Sequence, residues 1–179
     1  MFLREVDVLL RFNHTGIVRF FDAWKDDCAF LYIQMELCQS TLSEWLSANS
    51  LRDPSRMIHW FKQIVSAVLY IHEHARIYRD LKPSNILFKN EDHLKVSDLG
   101  IVSDRTVMKD DMGQEVITEL TLGKGTEMYM APEQMGWEDY TTKVDIFALG
   151  LIFTELSIAM TSDQAKKQPE SQEVVHISL

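Results

Sequence analysis

Residues 77–88 read IYRDLKPSNILF. Between apolar flanks, Asp80, Lys82 and Asn85 stand at offsets 0, +2 and +5. A carboxylate can accept a hydroxyl proton, an ammonium can steady a phosphoryl group, and an amide oxygen can hold a divalent cation. Phosphoryl transfer from ATP to an alcohol asks for these three roles. A second carboxylate should face the same cation. Asp98, in Asp98–Leu99–Gly100, follows two short β-type runs, Ile86–Lys89 and Leu94–Ser97, that flank the turn residues Asn90, Glu91 and Asp92. Such a hairpin brings its own two ends together, and with them the Asp80 and Asp98 loops.

The rest of the chain is consistent with a globular protein. Its 179 residues suit one domain, and the 46% apolar content is too high for a disordered chain. A net charge of −9 without a basic stripe argues against a direct nucleic-acid partner. Two cysteines, Cys28 and Cys38, make neither a disulfide framework nor a zinc site and fit a reducing, cytoplasmic setting. His72 and His74, two apart on a helical stretch, lie on different sides of it and do not suggest a metal pair. Charges interrupt every apolar run, so neither a signal peptide nor a membrane segment is expected.

Periodicity predicts a helix over 2–12, ended by Asn13 and Gly16, then a strand pair Ile17–Trp24 and Ala29–Met35 turning at Lys25, Asp26 and Asp27. Thr41 and Glu44 form a capping box for a short helix to Ala48. Asp53 caps and Pro54 opens a longer helix to about His74. It is apolar nearly all round, which predicts a central position. Residues 102–125 read as a surface loop, Thr142 and Asp145 as caps of a last apolar helix to about Ile158, and the polar tail from Thr161 as loose. Trp24, Trp45 and Trp60 are expected in the core. The order of elements makes the fold α+β.

At this point a family resemblance is visible. YRDLKPSN resembles the protein-kinase catalytic loop, DLG its magnesium loop, Ala131–Pro132–Glu133 the end of its activation segment, and KVDIFALGLIFTEL the buried helix that follows. The four signals come in the family's order and cover essentially residues 1–158. The resemblance implies a serine/threonine kinase using ATP and Mg²⁺. Asp80 is then the catalytic base, Lys82 a contact to the γ-phosphate, and Asn85 and Asp98 the magnesium ligands. Thr126 would bond Asp80 and Lys82 near the substrate hydroxyl. Glu36, Leu37 and Cys38 would form the hinge that meets adenine, with Met35 as gatekeeper and Leu87 under the ring. Glu5 matches the helix glutamate that pairs with the phosphate-binding lysine, and Asp145 would accept hydrogen bonds from the catalytic-loop backbone. Tyr78 stands where His is usual and Leu99 where Phe is usual. Both still supply bulk to the stack joining the lobes, with Leu9 and Phe20 above them.

LYIQMELC, RDLKPSNILF and GTEMYMAPEQ look most like the kinases of the alpha subunit of translation initiation factor 2. That resemblance implies a protein substrate, the alpha subunit itself, and a second kinase copy as dimer partner. It also implies a regulatory phosphosite at Thr121, with Thr118 second, answered by Arg79.

The family's glycine-rich loop and strand lysine belong upstream of Glu5. No GxGxxG occurs, and no lysine precedes Lys25. The expectation is therefore a partial kinase domain over 1–160, truncated at both ends. Residues 1–37 would be an upper-lobe remnant of one helix and a hairpin, 38–160 part of a mainly helical lower lobe, and 161–179 a disordered tail. Each missing electrostatic group is worth about 3–4 kcal/mol to such chemistry, so negligible activity is expected of these 179 residues alone. The alternative is a pseudokinase, decoy or scaffold that binds kinase partners without catalysis. Apolar faces at Phe2, Leu9, Ile17 and Phe20 are expected to be uncovered, which would favour aggregation or a partner.

Overall fold

The computed structural model describes residues 12–25, 31–99, 103–104, 107–109, 115–117, 127–135 and 140–158. The expected first helix, the 161–179 tail, and the positions of Glu5, Thr118, Thr121 and Thr126 lie outside them.

The upper region is one antiparallel pair, β1 (Phe20–Lys25) and β2 (Leu31–Met35), with Trp24 opposite Tyr32 and an irregularity between Phe20 and Asp22. β1 begins three residues later than the sequence predicts. The backbone before it is already engaged elsewhere: Val18 N donates to Val96 O (2.9 Å), Val96 N donates to Gly16 O (2.8 Å), and Ile17 bridges Val96 in parallel. Ile17 is thus buried rather than uncovered, and Phe20 packs against the core. Trp24, expected in the core, is 48% exposed because its face of the pair meets solvent and the stacked ring of Tyr32.

The lower region starts with β3 (Ser40–Thr41), which leads into α1 (Leu42–Ala48). The capping box forms as predicted: Glu44 N donates to Thr41 Oγ1 (3.1 Å) and Thr41 N to Glu44 Oε2 (2.8 Å). α2 (Pro54–Glu73) is opened by Asp53, whose carboxylate accepts from the amides of Ser55 and Arg56. Met57, Trp60, Ile64, Ala67, Val68 and Ile71 form its buried face, but Ile58 and Leu69 are about half exposed. Ser55, His59, Lys62, Ser66 and Glu73 share that exposed face, so the helix is amphipathic rather than apolar nearly all round, and its central position is only partial.

After α2 come β4 (Arg76–Ile77), then β5 (Ile86–Asn90) and β6 (His93–Val96). β3, β5 and β6 make a three-stranded antiparallel sheet. α2 lies against it. The Trp60 ring is edge-on to Phe88 at 4.8 Å and to Trp45 at 4.7 Å, and Gln63 Oε1 accepts from Leu94 N at 3.0 Å. Short strands follow within the expected loop: β7 (Ser103–Asp104) on β4, and β8 (Val107–Lys109) with β9 (Glu115–Ile117).

α3 (Pro132–Met135) and α4 (Lys143–Ser157) complete the fold. Thr142 is the N-cap residue of α4 but makes no side-chain cap bond, and Asp145 does not cap either. Its carboxylate points inward, as described below. The C-terminal ends of α1 and α4 meet at Arg52. Its guanidinium donates to Asn49 O (3.1 Å), Leu46 O (3.2 Å), Ile158 O (2.7 Å) and Glu155 O. Among the described residues no helix is long and apolar enough to cross a membrane.

Candidate active site

The loop between β4 and β5 is drawn inward by one buried acid. Asp145, 1% exposed, accepts from Tyr78 N (2.9 Å) and Arg79 N (2.8 Å), and its Oδ2 lies 2.7 Å from His72 Nε2. α4 therefore fixes the loop by its backbone, and α2 contributes a third contact through His72. Arg79 adopts φ 74, a left-handed conformation that non-glycine residues rarely take. The two amide bonds to Asp145 hold it there and turn the next residue, Asp80, into the cleft.

Asp80, 6% exposed, meets both of its sequence companions. Lys82 Nζ is 2.8 Å from Asp80 Oδ2, and Asn85 Nδ2 donates to the same oxygen at 3.0 Å and to Asp80 O at 2.9 Å. Pro83 opens the single 3₁₀ turn Pro83–Asn85 that folds Asn85 back over Asp80. With the Asn85 nitrogen turned to Asp80, its oxygen is the end of the amide suited to a cation.

The magnesium-loop residue joins through its neighbour. Ser97 N and Ser97 Oγ both donate to Asn85 O at 2.9 Å, and Tyr78 OH donates to Ser97 O at 2.5 Å. Asp98 follows at φ 50, a left-handed turn that a short polar side chain tolerates. Burial pushes the Tyr78 phenol well above its ordinary pKa, and the charges of Asp98 and then Asp80 add to the effect. One buried phenol thus feels both acids. Leu99, like Tyr78, is 1% exposed and belongs to the same core cluster.

The hinge candidates lie along β5. Gln39 N donates to Phe88 O (2.8 Å), and Leu87, half-buried, pairs with Thr41 and Lys95. Met35 is 45% exposed. Cys38 is half-buried, and burial followed by the nearby Glu36 charge raises its thiol pKa, which fits a packed hinge residue rather than a reactive one. The Glu36 carboxylate is held by Lys95 and Lys89.

Asp80, Lys82 and Asn85 are thus brought into direct contact, and Asp98 is tied to them by Ser97. Thr126 lies outside the described residues. Among the described residues no cluster of three or more His, Cys, Asp or Glu forms a metal cage. A cation at Asn85 and Asp98 would complete its shell with phosphate and water oxygens, as Mg²⁺ commonly does. Several contributors were not found from sequence: Ser97, His72 (considered only as a metal ligand), and Gln134, which accepts from Ala131 N (3.0 Å) and donates to Arg79 O (3.3 Å). A hydroxyl directly before the second acid was the one available signal, and it applied to Ser97 alone.

A family model for the protein kinase domain matches residues 1–178. The chain belongs to the protein kinase family. Members of this family use ATP and Mg²⁺, and the acid–lysine–amide trio fits that chemistry. The chain is 42% identical over 137 residues to eukaryotic translation initiation factor 2-alpha kinase 3 of Bos taurus, covering 71% of this chain and 12% of that one. It is 40% identical over 142 residues to eIF-2-alpha kinase GCN2 of Mus musculus, covering 72% and 9%. It is 36% identical over 185 aligned positions to the interferon-induced, double-stranded RNA-activated protein kinase of Rattus norvegicus, covering 91% and 34%. The chain therefore spans roughly a tenth to a third of the length of these relatives.

Proposed function

We propose that the protein is a cytoplasmic serine/threonine kinase that transfers the ATP γ-phosphate to the alpha subunit of translation initiation factor 2. The reading is supported above all by the convergence of Lys82 Nζ and Asn85 Nδ2 on one Asp80 oxygen, in a loop fastened by Asp145. The Asp80 carboxylate takes the proton of the incoming hydroxyl. The Lys82 ammonium beside it stabilises negative charge on the phosphoryl oxygens. Asn85 and Asp98 are the residues that would hold Mg²⁺, which when bound neutralises phosphate charge. Leu37 and Cys38 offer hinge backbone to adenine, over Leu87. The identities to two eIF2-alpha kinases support the substrate.

Thr121 is the proposed regulatory phosphosite, Thr118 the second, and Arg79 the receiving cation. Its guanidinium is buried, Nε and Nη2 have no hydrogen-bond partner among the described residues, and its charge sits 5.5 Å over the Tyr140 ring. A second kinase copy is the proposed dimer partner.

The test is phosphate incorporation into purified alpha subunit by this chain preceded by the glycine-rich and lysine-bearing strands of a relative. Labelling of serine or threonine is expected, with Asp80→Asn reducing it at least 100-fold and Thr121→Ala lowering activation. Absence of labelling by a folded, nucleotide-binding chimera overturns catalysis, and labelling of other proteins but not the alpha subunit overturns the substrate.

A further inference from the structure

Glu36 is poorly explained as a hinge residue that offers only its backbone. Its carboxylate collects three donors: Lys95 Nζ at 2.8 Å, Lys89 Nζ at 3.1 Å and Arg19 N at 3.2 Å. Its own amide donates to Arg19 O at 2.8 Å. Neither lysine stops at Glu36. Lys89 Nζ also donates to Leu37 O (3.2 Å), and Lys95 Nζ to Ile17 O (3.4 Å). Lys95 is 9% exposed and the Glu36 side chain 14%, so this is no solvent-screened surface pair.

The placement of the two lysines matters most. Lys89 is on β5 and Lys95 on β6, one on each strand of the hairpin. Asn85 directly precedes β5, and Asp98 follows Lys95 by three residues. One carboxylate therefore ties the hinge to both strands whose ends carry the proposed cation ligands. It also ties in Arg19, at the foot of the upper strand pair. An adenosine triphosphate molecule must reach from hinge backbone to cation, so the spacing between those two points decides whether base and phosphates can be held together.

We propose that Glu36 is a positioning residue: gripped by Lys89 and Lys95, it fixes the spacing between the hinge and the Asn85–Asp98 cation site, and so couples binding of the base to binding of the phosphates. The inference rests on the nucleotide site described under the proposed function. Depression of the Glu36 pKa to about 2 agrees with it. Burial pulls that pKa upward, but the hydrogen bonds from Lys95, Lys89 and the Arg19 amide outweigh it.

The experiment compares adenosine with Mg·ATP on the full chain, by calorimetric titration of the wild type, Glu36→Gln, Lys95→Met and the double variant. In parallel, amide hydrogen exchange is followed at Arg19, Glu36 and Gln39. The wild type should prefer Mg·ATP. Each single variant should lose about tenfold of that preference, weakening Mg·ATP far more than adenosine, and the double variant should lose no more than either. Exchange should quicken at the three amides and stay unchanged in α4. A merely structural role would instead weaken both ligands alike and quicken exchange throughout, which overturns the proposal. Variants that keep the full preference overturn it too and leave the nucleotide site standing. A wild type that binds neither ligand removes the site, and this inference with it.

Discussion

Two of the antiparallel strand pairs, β5–β6 and β1–β2, are both mostly apolar and meet opposite fates. In β5–β6, Ile86, Phe88, Leu94 and Val96 are at most 3% exposed. In β1–β2, Phe21, Trp24, Tyr32, Ile33 and Met35 are 39–51% exposed. The lower pair is overlaid by α2 through Trp60 and Gln63, and one of its edges is extended by β3. The upper pair shows its apolar side chains to solvent among the described residues. Hydrophobic strands tell that a cover is needed; they do not tell what supplies it.

The contrast can be broken most forcefully at Phe88. Phe88→Ala should cost about 3–5 kcal/mol in urea unfolding, because the space it leaves is lined by the rings of Trp45 and Trp60. A loss under about 1 kcal/mol would show that α2 does not seal the lower pair. A middle effect is expected from Gln63→Ala. That side chain accepts from Leu94 N and donates to Asp92 O at 2.8 Å, and its removal should cost about 1–3 kcal/mol by leaving a part-buried amide without its acceptor. Trp24→Ala sharpens the comparison from the other side. It should cost about 1 kcal/mol or less, mostly the stacking on Tyr32 at 5.6 Å, while reducing self-association seen by light scattering. A large destabilisation with unchanged association would mean the upper face is already covered.

A last test concerns pH. The folded Glu36 pKa is depressed from 4.5 to about 2, so its ion pairs contribute stability above about pH 4.5 and lose it as pH falls toward 2. The stability difference between wild type and Glu36→Gln should therefore shrink across that window and stay constant above it. A difference that persists to pH 2 would place the main contribution elsewhere.

Local rules were the legible part of the fold. The Thr41–Glu44 box, the Asp53–Pro54 helix start and the turn at Asn90–Asp92 each follow from a few adjacent residues, and each formed. The α+β class was readable from the order of elements, and the kinase fold because four motifs keep their order. Direct contact within Asp80, Lys82 and Asn85 was legible for the same reason: one short loop sets it. What failed depended on distant partners. Ile17 was read as strand, but its neighbours bond to Val96, nearly eighty residues on. Trp24 was assigned to the core by type alone. Asp145 looks like a helix cap by position and is not one; its inward role was legible only through the family resemblance, which places it against the loop amides of Tyr78 and Arg79 where it is found. The Glu36–Lys89–Lys95 group had no local signature, since its members meet only once the hinge lies along β5.

Arg52 illustrates the same dependence at the far end of the molecule. Neither α1 nor α4 ends in a glycine; their C-cap residues are Asn49 and Ile158. The terminal carbonyls of both instead converge on a single guanidinium, across more than a hundred positions of chain. Neither helix can fray at that end without releasing the other, so their last turns should open as one cooperative unit. A lysine there, with its compact point charge in place of a planar fork, would uncouple them.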